Sequence, residues 1–166
     1  MNKTWKIINP SNFKNINQYI KFLKKKKIIL SPWIENVFKS RKNKISLTNK
    51  KVYLVKVKLA SLGFKGPVRL KNIYKKIKKK NFYLVPPDVA LRTRLEFKEQ
   101  KNSNWLRFAT PMNSLIDSDN TPHLIKLGKA LNSYFIETYW SYPDAIFYPH
   151  NEFVFVKNDF QKNKNK

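Results

Sequence analysis

Positive charge is distributed very unevenly along this 166-residue chain, and the asymmetry restricts how its N-terminal half can fold. Residues 1–80 contain 22 lysines and two arginines but a single acid, Glu35, which gives a formal charge of +23. Residues 81–166 contain eight lysines, three arginines and nine acids, a formal charge of +2. Short apolar stripes interrupt the lysines, so we expect amphipathic elements in the first half, with lysines on their solvent faces.

This asymmetry indicates a surface that binds polyanions, with nucleic acid as the first candidate and an anionic membrane as the second. Codon composition offers a competing explanation. Only five of the 35 basic residues are Arg, and the chain is rich in Lys, Asn, Ile and Phe, which A/T-rich codons encode. Codon composition acts on both halves alike, so it explains single lysines better than it explains the asymmetry.

The size and composition of the chain predict one compact domain. A chain of this length with 42% hydrophobic residues can bury roughly two-thirds of its unfolded surface. The absence of cysteine excludes disulfides, thiol nucleophiles and the usual zinc clusters, and it fits a reducing compartment. There is no run of 18 apolar residues, and residues 1–10 lack the apolar core of a signal peptide. We therefore expect a cytoplasmic protein without a transmembrane segment, cofactor or metal.

The first 50 residues are predicted to form a basic helical extension. Ile16, Tyr19, Ile20 and Leu23 recur at helical spacing and lead into the lysines of 24–27. A second short helix is predicted after Ser31 and Pro32, because this pair is typical of an N-cap and a first helical turn. Residues 41–50 follow as a polar linker.

Residues 52–62 fit two patterns. Tyr53, Val55 and Val57 alternate as in a strand, whereas Val52, Val55, Leu59 and Leu62 also form a helical stripe. Gly63 followed by an apolar residue is typical of a helix C-terminus, so the pattern favours a helix. A clearer helix is predicted over 68–80, with Leu70, Ile73, Tyr74 and Ile77 as its buried face.

The rest of the chain changes character from helix to strand. Pro86, Pro87 and Asp88 predict the start of another helix, which extends to Phe97. Four aromatic and β-branched runs then predict a small antiparallel sheet. They are 105–110, 123–127, 134–140 and 152–156. The predicted fold class is α+β, with N-terminal helices, compatible with a winged-helix-like unit, before the sheet. Residues 51–160 would form the α+β domain and 161–166 a disordered tail.

An ordered series of residues runs through the C-terminal two-thirds of the chain. It comprises Leu62-Gly63-Phe64, Ile73-Tyr74, Pro86, Val89, Leu91-Arg92, Arg94-Leu95, Gln100, Trp105-Leu106, Met112, Ser118-Asp119, Trp140, Pro143, Pro149 and Phe153-Val154-Phe155. Over roughly residues 52–157 the chain thereby resembles a family of short, uncharacterised bacterial proteins with no assigned activity. It departs from that family at Val85, where Cys is typical, and at Asn120, where Gly is typical. The resemblance implies a shared fold and supplies no chemistry.

Catalytic patterns are weak in this sequence. His123 and His150 do not lie at a metal-ligand spacing with another histidine or a carboxylate. Asp117 to Asn120 are better explained as a turn stabilised by its own side chains than as a calcium loop, because the glycine and the distal acid of such a loop are missing. With only three glycines, no glycine-rich phosphate loop can form. An enzyme of unknown class using one of the histidines remains an alternative.

The aromatic residues of the C-terminal half allow two interpretations. They could stack nucleobases on an open sheet, or they could fill the core, which is the favoured interpretation. Period-2 alternation places Tyr134, Ile136 and Trp140 on one side of a strand, which we expect to be buried. Phe135 and Tyr139 lie on the opposite side and are the candidates for exposed platforms.

The leading hypothesis is a nucleic-acid-binding protein that contacts mainly the phosphate backbone, because lysines act as point charges and read bases poorly. The predicted contact residues are Arg69, Lys71, Lys75, Lys76, Lys78, Lys79, Lys80, Arg92 and Arg94. The first alternative is a structural or protein-interaction protein whose charge reflects codon composition. A peripheral membrane role of the lysines at 24–27 is a lesser option.

Overall fold

The computed structural model describes residues 3–43 and 45–157, which form four α-helices and ten β-strands. The helices are α1 (Ile16–Lys25), α2 (Pro32–Lys39), α3 (Leu70–Lys79) and α4 (Pro87–Glu96). The strands are β1 (Lys6–Ile8), β2 (Ile29–Leu30), β3 (Val52–Lys58), β4 (Val68–Arg69), β5 (Phe82–Tyr83), β6 (Trp105–Phe108), β7 (His123–Ala130), β8 (Ser133–Trp140), β9 (Ile146–Phe147) and β10 (Glu152–Lys157). No helix in these ranges is long and apolar enough to cross a membrane.

The predicted cap of α2 is confirmed, and α1 also begins at a side-chain cap. Asn15 accepts a hydrogen bond from the backbone N–H of Gln18 at 3.1 Å and begins α1. The Ser31 hydroxyl accepts from the N–H of Ile34 at 3.3 Å, and Pro32 opens α2. These side chains satisfy N–H groups that have no partner within the first helical turn.

A mixed sheet dominates the molecule. Eight of the described strands form it in the order β1-β3-β10-β6-β7-β8-β2, with β5 paired to β10. The β10–β6 and β2–β8 pairs are parallel, and the remaining pairs are antiparallel. Strands β4 and β9 form a separate antiparallel pair.

The fold class predicted from the sequence, N-terminal helices followed by a small antiparallel sheet, is therefore wrong. The molecule is a mixed α/β structure, and the winged-helix-like arrangement is absent from its described residues. Strands β1, β2 and β5 have only two or three residues each, too few to show an alternating pattern. The part of the predicted 1–50 extension that is described packs on the same sheet and adds β1 and β2 to it. The tail predicted at 161–166 lies outside the described residues.

The helix favoured for residues 52–62 is also wrong. Residues 52–58 form β3, which lies between β1 and β10. Leu54 is buried on one face of the sheet, and Val55 and Val57 are buried on the other. Because both faces are buried, apolar residues fall at helical as well as strand spacing. Gly63 does end a helical turn, but this is the short 3-10 turn Leu59–Leu62, and the glycine has φ 93°.

Two hydrophobic cores lie on opposite faces of the sheet. On the first face, α1, α2 and α4 pack against side chains such as Leu54, Ile125 and Val154. On the second face, α3 packs against Val55, Phe153 and Phe155. Side chains at successive positions of β3 and β10 enter different cores, as alternation along a strand requires. The predicted helices α1, α3 and α4 and the strand runs of β6, β7, β8 and β10 are confirmed.

Candidate nucleic-acid interface

Helix α3 is built with one apolar stripe and a basic remainder. Leu70, Ile73 and Ile77 are buried against the second face of the sheet. The Tyr74 hydroxyl donates to the carbonyl of Thr110 at 2.6 Å, and burial raises the pKa of this phenol. Lys76, Lys78 and Lys79 lie in the last turn, where their positive charges interact favourably with the negative end of the helix dipole. Asn81 at φ 57° follows the last turn and stops the helix.

The lysine surface is defined here as the exposed set Lys75, Lys76, Lys78, Lys79 and Lys80. Within the described ranges, no carboxylate forms an ion pair with any of these five side chains. At the other end of α3, Lys71 lies 2.8 Å from Asp144 and Arg69 lies 3.6 Å from the same carboxylate. The structure thus brings together seven of the nine predicted contact residues on or beside one helix.

A groove opens between α3 and the residues that follow Gly63. It has a volume of about 270 Å³ and is lined by Phe64, Asn72, Lys75, Lys76 and Lys79. The groove combines three lysine ammonium groups with the amide of Asn72 and the ring of Phe64. Such a lining suits an anion attached to a planar group.

Arg92 and Arg94 lie elsewhere, in the interior. Each is 2% exposed. Arg92 donates to the carbonyls of Asn9 at 2.6 Å and Lys50 at 3.2 Å, and it lies 3.5 Å from Asp88. These contacts use the guanidinium within the protein, so Arg92 cannot bind phosphates in this conformation.

Arg94 is held in the same way. Its guanidinium donates to Gln100 at 2.6 Å and to the carbonyls of Gly128 and Phe97, and it lies 4.3 Å from the ring centroid of Tyr134. Burial lowers the pKa of Arg94 to about 10. The prediction that Arg92 and Arg94 lie on one surface with α3 is therefore wrong. Almost all of α4 is buried, so neither arginine can reach solvent from it.

Two lysine groups of the first 80 residues lie on opposite faces of the sheet. The lysines at 24–27 lie at the end of α1, which packs on the first face of the sheet. The lysine surface of α3 lies on the second face. The sheet separates the two groups, so each must be tested on its own.

His123 has a carboxylate partner that sequence spacing did not reveal. Its Nε2 atom lies 2.8 Å from Asp117 Oδ2, and the two side chains are 1% and 2% exposed. Burial acts to raise the pKa of Asp117, but hydrogen bonds from His123 and from the N–H groups of Thr121 and Asp119 lower it overall. These bonds confirm the turn interpretation of 117–120. Asp117 and His123 are six residues apart and lie on either side of a turn that leads into β7. That spacing is the sequence feature that indicates the pair.

The two histidines lie in different surroundings. His123 Nδ1 is buried without a hydrogen-bond partner in the described part of the chain. The rings of Trp33 and Trp140 lie 6.3 Å and 5.4 Å from the His123 ring, so a substrate would have to displace them. His150 is exposed and stacks on Tyr148. The described residues contain no group of three or more side chains of the kinds that hold a metal ion.

A second concave site lies at the end of β8. This aromatic cleft has a volume of about 490 Å³ and is lined by Thr121, Tyr139, Trp140, Tyr142, Asp144, Ala145 and Ile146. Trp140 is 45% exposed, so the prediction that it is a core residue is wrong. The strand ends there at the sheet's edge, where the tryptophan is only partly covered. Phe135 and Tyr139 are half-buried on the second face, and Phe135 packs against Trp105.

Comparisons with protein-family models, with curated proteins and with solved structures found no match to this chain. The resemblance of residues 52–157 to a family of short bacterial proteins stays a prediction.

Proposed function

We propose that this protein binds nucleic acid through phosphate contacts made by the lysine surface of α3. The observation that carries the proposal is the set of five exposed ammonium groups on one helix and its cap, none of them in an ion pair within the described residues. Ammonium groups held this close repel one another, and a polyanion relieves that repulsion while releasing its own counterions.

The dimensions of α3 limit how many phosphates it can contact. A helix of ten residues is about 15 Å long, and phosphates of one B-form strand are spaced about 3.4 Å along the axis. The helix therefore covers roughly four phosphates. With that number, affinity should fall roughly 150-fold for duplex DNA, and roughly 50-fold for a single strand, between about 50 and 200 mM salt.

The contacts are expected to discriminate poorly between sequences. Lysine presents a point charge on a flexible stem, whereas base recognition relies on side chains held in fixed geometry. The half-buried ring of Phe64 in the groove offers a stacking contact beside Lys75 and Lys76. A cytoplasmic location, where nucleic acid is accessible, belongs to this proposal, and the lack of cysteine is compatible with it.

The test is charge reversal on α3, with a matched reversal on the opposite side of the sheet. Lys75, Lys76, Lys78 and Lys79 are changed to Glu in one variant, and the exposed residues Lys14, Lys21, Lys25 and Lys26 of the α1 region are changed to Glu in the other. Both variants lose the same net charge. Binding of the nuclease-treated protein to labelled DNA and RNA is measured by fluorescence anisotropy.

The α3 variant should lose at least roughly 100-fold in affinity, because four attractive contacts become repulsive. The α1 variant should lose less than roughly fivefold, because its charges act only through long-range, screened interactions. Equal losses in both variants, or unchanged binding by the α3 variant, would contradict the proposal. Circular dichroism of each variant checks that the fold is retained.

A structural or protein-interaction role is the second candidate function. The exposed side chains of Ile29 and Trp33, at the edge strand β2 and the start of α2, favour it. A partner that stays bound after nuclease treatment, and is released by Trp33→Ala, would support this alternative.

A further inference from the structure

The aromatic cleft is joined directly to helix α3. The N–H of Leu70 donates to the carbonyl of Ala145 at 2.9 Å, and the N–H of Lys71 donates to that of Pro143 at 3.0 Å. Strands β4 and β9 pair Arg69 with Ile146. The loop that forms one wall of the cleft is therefore anchored to the first turn of α3, and the cleft adjoins the basic helix.

The cleft presents aromatic surface that the fold does not use. Trp140 and Tyr142 are 45% and 47% exposed, and Ile146 is also exposed. Trp140 is backed by the buried His123 ring, which the 2.8 Å contact with Asp117 holds in place. Rings that are supported from behind and open to solvent in front are suited to stacking, because little side-chain freedom is lost on binding.

The polar groups of the cleft indicate which kind of planar ligand can bind there. Asp144 accepts from Lys71, and this hydrogen bond is the main cause that lowers the pKa of the Asp144 carboxyl. An exposed aspartate is ionised at neutral pH. An ionised carboxylate repels phosphate but accepts hydrogen bonds from amino groups. The Thr121 hydroxyl on the same lining can donate or accept.

We infer that the aromatic cleft, at the N-terminal turn of α3, receives an unpaired nucleobase of a single strand whose backbone continues along the helix to the lysine surface. The inference rests on the proposed function and specifies its substrate class. A base paired within a duplex is stacked on both sides and cannot enter the cleft, whereas an unpaired base can be turned out and stacked on aromatic side chains. The volume of about 490 Å³ lies in the general range of small-molecule sites.

The experiment compares three ligands of about 12 nucleotides each: a single strand of mixed adenine and cytosine, an abasic deoxyribose-phosphate strand, and a duplex. The abasic strand keeps the phosphates and removes the bases, so it reports the lysine surface alone. Affinities are measured by anisotropy at about 100 mM salt for the wild type, Tyr142→Ala and Trp140→Ala. Leu131→Ala is the control variant, because Leu131 is an exposed apolar residue on the β7–β8 turn.

The wild type should bind the base-containing single strand roughly 5- to 150-fold more tightly than the abasic strand. Tyr142→Ala and Trp140→Ala should each remove most of that preference while leaving the abasic affinity within about twofold of wild type. Leu131→Ala should change neither value. If Trp140→Ala disturbs the packing on His123, which circular dichroism would reveal, Tyr142→Ala alone decides the question.

Equal wild-type affinities for the base-containing and abasic strands would overturn the cleft assignment and leave the proposed function standing. Tighter binding to duplex than to the single strand would do the same. Absence of binding to all three ligands would overturn the proposed function itself.

Discussion

At the scale of single residues, Gly128 is required by a neighbouring ring rather than by its backbone conformation. A Cβ atom at this position would lie 2.1 Å from two atoms of the Trp105 ring. The two residues face each other across the β6–β7 pair, and Lys126 lies over the same ring at 4.6 Å from its centroid. The indole lies close to the strand backbone because glycine leaves room for it.

We therefore expect Gly128→Ala to lower the free energy of unfolding by about 1–3 kcal/mol, since the rigid indole must move. Gly66→Ala is the matched control, because a Cβ at Gly66 would meet no atom within 4 Å, and its effect should be about zero or slightly stabilising. Urea denaturation followed by circular dichroism measures both. A Gly128→Ala protein as stable as wild type would show that Trp105 has space to rotate away.

At the scale of elements, α4 shows how burial overrides the usual position of a charged residue. The predicted extent of this helix matches the structure, whereas the predicted surface position of its arginines is wrong. The helix lies between α1, β1 and β7, and its arginines supply donors to carbonyls of irregular segments such as Asn9 and Lys50. A guanidinium has five N–H donors on a long side chain, so one arginine can hold carbonyls of two separate segments.

Two Arg–Asp pairs allow this interpretation to be tested. Arg92→Ala should lower the free energy of unfolding by about 3–5 kcal/mol, because it leaves the buried Asp88 carboxylate without its cation and two carbonyls without a donor. Arg69→Ala should cost less than about 1 kcal/mol, because its pair with Asp144 is exposed to solvent. Thermal and urea unfolding of both variants supply the comparison. Similar losses in the two proteins would argue against a structural role of Arg92.

At the scale of the whole molecule, the net charge of +25 must oppose folding through repulsion. The structure reduces this effect by distributing the lysines over both outer sides of the sheet. Local pairing contributes little, because Glu35 is the single acid of residues 1–80, and it contacts Lys24 at 2.7 Å and Lys39 at 3.6 Å. Salt ions in the solvent therefore screen most of the remaining repulsion.

Raising sodium chloride from about 20 to 300 mM should therefore increase Tm, because the Debye length falls from over 20 Å to below 6 Å. The increase should be about 2–8 °C if screening contributes about 1–2 kcal/mol. The Lys75, Lys76, Lys78 and Lys79 to Glu variant has a lower net charge, so its Tm should depend less on salt than that of wild type. Differential scanning calorimetry records both. A Tm that falls with salt, or that does not change, would contradict a dominant role for charge repulsion.

Features that depend on near neighbours could be predicted from the sequence. They are the cap of α2, the apolar stripe and exposed lysines of α3, the turn at Asp117 and the long strands β6, β7, β8 and β10.

Contacts between distant segments set the remaining features. Strand β10 near the C-terminus pairs with β3, β5 and β6, so the mixed sheet, the two-sided burial of β3 and the short strands depend on partners far away in the chain. Contacts between distant segments also explain the burial of Arg92 and Arg94. They explain as well why the sheet separates the lysines and why the aromatic cleft adjoins α3. Local patterns record which side of an element is apolar, but only packing determines what lies against it.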